Sequence, residues 1–329
     1  MGGYSLELCA GAGGQALGLE CGGFEHAGVV EIDPHACNTL RLNRPQWTVH
    51  EEDLNHFDAR CYKGVDLVAG GFPCPPFSIA GKQLGKDDER DCFPAGLRVI
   101  DQVRPKAVMI ENVRGILAPA FAEYRDHIDG RLKKLGYVTQ WKLLNAADYG
   151  VSQLRPRVVI VALKKQYASE FKWPSTKRKP KTVGQLVYDL MAAKGWHGAE
   201  DWKLLANAIA PTIVGGSKKH GGPDLGPTRA RKAWAELGVD GIGIANEAPD
   251  EDFVGMPRLT TRMVARVQGF PDRWEFFGKK TAAYRQVGNA FPPPVAAAVA
   301  SEIARALAVR AGAKAKRSLR DNFWQAELL

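Results

Sequence analysis

Through its first 163 residues the chain alternates short apolar, β-branched runs with longer amphipathic stretches, and this rhythm constrains the fold more than any other feature. A brief apolar run between turn residues suits a strand buried on both faces, and an amphipathic stretch after it suits a crossover helix. Repetition of that unit gives an α/β fold, a doubly wound and mostly parallel sheet with helices on both faces. Strands are predicted at residues 4–9, 27–31, 65–69, 107–111, 137–143 and 158–163. Ligands of open α/β sheets bind beyond the carboxyl ends of the strands. The unusual residues that follow the first five runs are therefore expected to share one edge.

From about Trp173 the rhythm gives way to Pro, Gly and basic residues, with Lys-Pro-Lys at 179–181 and Gly-Gly pairs at 215–216 and 221–222. Such punctuation marks a smaller, loop-rich domain. Regularity returns at 259–267, and an Ala-rich helix is predicted at 295–309, with Val299, Ile303 and Leu307 on one face to pack back onto the sheet domain. The division expected is thus 1–174, 175–278 and a returning segment, 279–329.

The chain has 329 residues, 45% of them hydrophobic, enough for a large core and a smaller second domain. No apolar run approaches the roughly 18 residues of a membrane span, and residues 1–10 lack a secretory pattern; a cytoplasmic protein, nucleoid-associated if it binds DNA, is expected. Six cysteines lack ligand-like spacing, so no metal and no disulfide framework are expected. The net charge of +9 favours a polyanionic partner. Lys164, Lys165, Lys172, Lys177, Arg178, Lys179 and Lys181 face a single Glu170 in sequence, and Lys218, Lys219, Arg229, Arg231 and Lys232 form a second cluster.

After the first run comes Gly11-Ala12-Gly13-Gly14-Gln15-Ala16, where glycines allow a tight turn and close backbone approach to a ligand at a helix N-terminus. Glu31 follows the second run and can accept from ribose hydroxyls. The letters also fit the dinucleotide form Gly-x-Gly-x-x-Ala, so this loop by itself admits either a nicotinamide cofactor or S-adenosylmethionine. Asp53 suits an adenine amino group or a simple turn.

The third run leads into Gly71-Phe72-Pro73-Cys74-Pro75-Pro76-Phe77-Ser78, which holds a cysteine at a strand's carboxyl edge between stiffening prolines. A thiolate so presented can add to an electron-poor ring carbon. This loop, with Ile79-Ala80-Gly81-Lys82-Gln83 and Arg90, resembles the cysteine loop of the S-adenosylmethionine-dependent DNA (cytosine-5)-methyltransferases. The family's other motifs follow in order: the cofactor loop at 8–14, Glu31, Asp53-Leu54, Glu111-Asn112-Val113, Gln153-x-Arg155-x-Arg157, the Arg-Leu-Thr to Gln-Gly-Phe-Pro-Asp segment at 258–272, and Tyr284-x-Gln286-x-Gly288-Asn289. The resemblance spans roughly residues 5–305. It departs in two places, with Cys9 where the family usually has Phe and Pro75 where it has Gln. Cys9 offers less surface to the cofactor, which predicts modest affinity, and Pro75 stiffens the loop.

The resemblance implies the chemistry. Cys74 adds to carbon 6 of a flipped-out cytosine, Glu111 bonds ring nitrogen 3 and the exocyclic amine, and of Arg155 and Arg157 one holds the base carbonyl while the other orients Glu111 or a phosphate. S-adenosylmethionine would be held by Cys9, Ala10, Gly11, Gly13, Gly14, Glu31, Ile32, Asp53, Leu54, Pro73, Asn289 and Ala290, and leave as S-adenosylhomocysteine. Double-stranded DNA is the expected partner, met by Ser78, Lys82, Gln83 and Arg90 in the closing loop, by Thr212, and by Lys218, Lys219, Arg229 and Arg231 in a target-recognition domain at 175–278. A monomer on DNA is expected; the resemblance admits both a cognate restriction endonuclease acting separately and an orphan enzyme that acts alone in gene regulation. The same motifs admit an RNA cytosine-5 methyltransferase, against which the long basic second domain argues. An oxidoreductase leaves the cysteine loop and arginine pair unexplained, and a binder without catalysis leaves the intact reactive set unexplained.

Overall fold

The computed structural model describes residues 3–72, 91–175, 179–215 and 222–310. Seven strands form one sheet: β1 (Tyr4–Leu8), β2 (Glu25–Glu31), β3 (Val49–Glu51), β4 (Leu67–Gly71), β5 (Ala107–Val113), β6 (Tyr137–Asn145) and β7 (Pro156–Lys164), in the order β3-β2-β1-β4-β5-β7-β6. The pairs β1·β2, β1·β4, β2·β3 and β4·β5 are parallel, and β7 runs antiparallel to both its neighbours. All six predicted strands are present. The additional β3 is three residues long, too short for a periodic signal, and exists through its pairing with Val29–Glu31.

The helices are α1 (Gly14–Cys21), α2 (Pro34–Asn43), α3 (Phe93–Val103), α4 (Ala122–Lys134), α5 (Lys165–Ala168), α6 (Val183–Met191), α7 (Ala199–Leu205), α8 (Thr228–Ala235), α9 (Thr261–Gln268), α10 (Lys280–Asn289) and α11 (Pro293–Arg310). Local signals set their starts. Asp33 accepts from the N–H of His35 with Pro34 opening α2, and Thr182 and Gln185 form a reciprocal capping box on α6.

The central strands are buried on both faces. Leu6, Leu8, Val68, Val108 and Ile110 join one cluster with α3, while Leu67, Ala69, Met109 and Val161 join another with Leu19 of α1 and Val295, Val299 and Ile303 of α11. Each such side chain contributes about 1.5–3 kcal/mol by leaving water. The predicted return of the last helix onto the sheet is therefore observed, two residues longer at its start and one at its end. A third cluster runs from Leu17, Leu40 and Trp47 through Val187, Trp202 and Trp234 to Val264, Tyr284 and Val287, so the 183–287 region packs on the same core as α1 and α2. No described helix is long and apolar enough to cross a membrane.

Candidate functional site

Strand order reverses between β1 and β4, where connections leave the sheet in opposite directions and open a crevice. A cavity of about 310 Å³ lies there. Its walls come from the end of β1 and the following turn (Glu7, Cys9, Ala10, Gly11, Ala12, Gln15), from the β2 end (Glu31, Asp33, His35, Ala36), from Gly71 and Glu111, and from the start of the returning segment (Ala282, Arg285, Gln286, Asn289, Ala290, Phe291). Because β7 is antiparallel, its first residues reach the same edge as the ends of β4 and β5, which is how Arg157 arrives beside Glu111.

At one end, Glu31 organises the loop. Its Oε2 accepts from the Gly11 N–H at 2.7 Å, and its Oε1 accepts from the N–H groups of Ile32 and Asp33 at 2.9 and 2.8 Å. Gly14 starts α1 so close to the returning segment that a Cβ there would overlap the Phe291 carbonyl and Ala290. Two side chains in the floor are polar, buried and incompletely bonded. Neither amide atom of Gln15 has a partner among the described residues, and Glu7 Oε2 has none. Burial pushes the Glu7 carboxyl well above the ordinary carboxylate range, against the hydrogen bond it accepts from the Ala16 backbone. A donor–acceptor pair of this kind, opposite a ribose-type carboxylate, fits a ligand with hydroxyls and a polar tail.

At the other end, Arg157 Nε lies 2.9 Å from Glu111 Oε1, both largely buried. Desolvation raises the Glu111 pKa above its ordinary value, and the cations of Arg157 and Arg155 oppose the rise. Asn112, next in the strand, donates to the Phe72 carbonyl at 2.9 Å and so fixes the start of the segment carrying Cys74. A carboxyl whose pKa is raised by burial beside a guanidinium is suited to exchange a proton with a bound group and to accept from a donor.

The two predicted arginines divide their work. Arg157 orients Glu111. Arg155 is 1% exposed and donates to the carbonyls of Ile213, Gly288 and Ala290 at 2.7, 2.9 and 3.0 Å. Gln153 extends this clamp by accepting from the Ile213 N–H and donating to Gln268, which itself donates to Ala290. Gly215 and Gly288 touch so closely that a Cβ on Gly288 would overlap the Gly215 backbone. Gly215 is thereby fastened to the returning segment that lines the cavity.

Of the other expected residues, Gly13 adopts the left-handed backbone at the α1 start, Asp53 accepts from the Asn55 N–H, Leu54 is buried, and Ile32 is 62% exposed; none lines the cavity. Thr212 donates to the Leu154 carbonyl. Arg231 pairs with Asp224 at 2.8 Å, whereas Arg229 stands exposed at the start of α8. Cys74, Pro73, Ser78, Lys82, Gln83, Arg90, Lys218 and Lys219 lie outside the described residues. Sequence reading missed Glu7 and Gln15. A carboxylate between Leu6 and Leu8 in a buried strand was the available signal for the first.

A profile of C-5 cytosine-specific DNA methylases matches residues 4–305. The Type II methyltransferase M.NgoMIV of Neisseria gonorrhoeae is 58% identical over 307 residues, covering 92% of this chain and 97% of its own. M.NaeI of Lentzea aerocolonigenes is 55% identical over 308 residues, covering 92% and 75%. Among solved structures, the Dnmt2 methyltransferase of S. pombe superposes with a TM-score of 0.62 at 18% identity, covering 92% of this chain and 99% of that one, a likeness of fold.

Proposed function

The chain belongs to the C-5 cytosine-specific DNA methylase family, and from that premise we propose that it moves a methyl group from S-adenosylmethionine to carbon 5 of a cytosine flipped out of duplex DNA, through a covalent adduct at Cys74. The observation that carries the reading is the buried Glu111–Arg157 pair at one end of a cavity whose other end is the Glu31-held glycine turn. Bound at that turn, S-adenosylmethionine supplies an electrophilic methyl group, and S-adenosylhomocysteine remains. Glu31 would take its ribose hydroxyls, and Gln15, Glu7 and Asn289 its polar tail.

The chain's own groups do the rest. The Cys74 thiolate adds to carbon 6 while Glu111 gives a proton to nitrogen 3, so the ring gains electron density at carbon 5 without building up charge. Arg157 keeps Glu111 aimed. After transfer, a base removes the carbon 5 proton, the Cys74–carbon bond breaks to release the thiolate, and the nitrogen 3 proton returns to Glu111, which restores the ring. Flipping costs a few kcal/mol in lost stacking and pairing, which contacts from the 79–93 stretch and Thr212 would offset.

Residues 1–174 would form the catalytic part, 175–278 the target-recognition part, and 279–329 the returning segment. Lys218, Lys219, Arg229 and Arg231 are the candidate contacts to DNA; Arg231 is already paired with Asp224, so Arg229 is the freer of the two described ones. Resemblance to the Type II methyltransferases supports a restriction-modification role; the reading adds a separate endonuclease, a place in the cytoplasm at the nucleoid, and action as a monomer on DNA. Transfer of labelled methyl to duplex DNA and to tRNA, followed by bisulfite sequencing, tests the reading. Methylcytosine at a fixed DNA site supports it; label confined to tRNA, or absent from both, overturns it.

A further inference from the structure

The Arg-Leu-Thr to Gln-Gly-Phe-Pro-Asp segment, residues 258–272, holds no reactive group of the proposed chemistry. It builds α9, which stops where Gly269 takes a left-handed φ of 91° and the Phe270 N–H turns back to the Ala265 carbonyl. A second turn, closed by the Trp274 N–H on the Pro271 carbonyl at 3.0 Å, carries the chain to the back of the glycine turn that opens α1. Two aromatic rings pack there. A Cβ on Gly14 would come within 3.2 Å of Phe270, and one on Gly13 within 2.9 Å of Trp274.

Trp274 also bonds the turn. The residue is 1% exposed, and its indole Nε1–H donates to the Ala12 carbonyl at 3.1 Å, across 262 residues of sequence. The N–H of the same peptide unit, on Gly13, donates to the Ala10 carbonyl at 3.0 Å. The Ala12–Gly13 peptide is thus held at both ends. Glycine lets such a plane rotate at little cost, and Gly13 sits at a φ of 83°, so the indole donor removes a freedom that the residues of the turn leave open. The ring is fixed from its other side. The Arg44 guanidinium lies 5.2 Å from the Trp274 ring centroid and 5.7 Å from that of Trp47, and pairs with Glu20 of α1 at 2.7 Å.

We propose that Trp274 is a positioning residue for the cofactor turn: its indole N–H locks the Ala12–Gly13 peptide, so that Ala10, Gly11 and Ala12 hold the shape that S-adenosylmethionine meets. The role rests on the cofactor reading above. Ala10, Gly11 and Ala12 line the cavity, whereas Trp274 is not among the described residues that do, so it acts through the turn and not on the ligand. Without the indole donor the turn visits other peptide orientations, and the apparent Kd rises by the inverse of the fraction still in the binding shape. Once occupied, the turn has the same shape as in the wild type, and the saturated rate stays where it was.

The test compares Trp274→Phe with Trp47→Phe in the full-length protein. Both remove an indole N–H from one aromatic cluster, the two rings being 6.3 Å apart, but of the two it is Trp274 that bonds the Ala12 carbonyl. The readouts are hydrogen–deuterium exchange of residues 10–17 in the free protein, calorimetric affinity for S-adenosylhomocysteine, and KM for S-adenosylmethionine against kcat on duplex DNA. Trp274→Phe is expected to speed the exchange and weaken the affinity, each by at least about fivefold, and to raise KM with kcat within about twofold of wild type. Trp47→Phe is expected to lower the denaturation midpoint and move none of the three. On wild-type protein, which needs no variant to fold, bound S-adenosylhomocysteine should slow exchange at residues 271–274 as well as at 10–17. Equal behaviour of the two variants, unaltered exchange in Trp274→Phe, or no slowing at 271–274 overturns the proposal. If the wild type binds S-adenosylhomocysteine and Trp274→Phe binds it equally well, the positioning role alone falls; if the wild type binds none, the cofactor reading falls and takes that role with it.

Discussion

Two glutamates stand at strand ends on the same edge of the sheet, and they are held in opposite ways. Glu31 accepts from three backbone N–H groups of its own neighbourhood, whereas Glu111 meets a single guanidinium across the β5·β7 pairing in a desolvated setting. Backbone donors fix a carboxylate as an acceptor; a buried place beside one cation leaves a carboxyl able to exchange a proton. On the proposed reading, the first end of the cavity serves binding and the second serves chemistry.

The severest test of the reactive end is Cys74→Ala, which is expected to cut methyl transfer by more than about 10⁴-fold while DNA retention on a gel shift stays close to wild type; substantial turnover would sink the adduct. Glu111→Gln keeps the shape and removes the proton, and should slow single-turnover transfer by about 10²–10³-fold with little change in calorimetric cofactor affinity. At the binding end, Glu31→Ala should weaken S-adenosylmethionine about 10–100-fold, the worth of a hydrogen bond to a charge, leaving the saturated rate near normal. If Glu31→Ala struck the rate and Glu111→Gln the affinity, the division between the two ends would be reversed.

Smaller effects sharpen the contrast. Arg155→Met leaves three buried carbonyls without their donor and should cost on the order of 3 kcal/mol, read as a lower denaturation midpoint. Arg157→Met removes the leading influence that lowers the Glu111 pKa, so Glu111 should stay protonated to higher pH. The falling alkaline limb of the single-turnover rate should then move to higher pH; a shift to lower pH would deny Glu111 the role of proton donor.

Legibility followed locality. The six longer strands were visible as short runs rich in apolar, β-branched or aromatic residues, and Glu31 because it sits 20 residues beyond Gly11, whose N–H it accepts from in the fold. Glu111 was visible through its neighbours Asn112 and Val113. The division of labour between Arg155 and Arg157 was not, since spacing along one strand puts them on one face but says nothing of carbonyls contributed from residues 213, 288 and 290. Gln15 reads as an ordinary helix residue until the helix buries it with no partner for its amide.

The packing of α1 against α11 has a consequence for the order in which a ribosome delivers this enzyme. Every strand has emerged by Lys164, yet Leu19 and the sheet face around Leu67 and Met109 find their cover in Val295, Val299 and Ile303. At roughly 5–20 residues per second, that face waits about 7–30 s for α11 to be made. Residues 282–291, which complete the cavity, arrive in the same interval. A nascent chain is thus an apolar client for chaperones before it is an enzyme, and truncation ahead of α11 should yield aggregation rather than a slower methyltransferase.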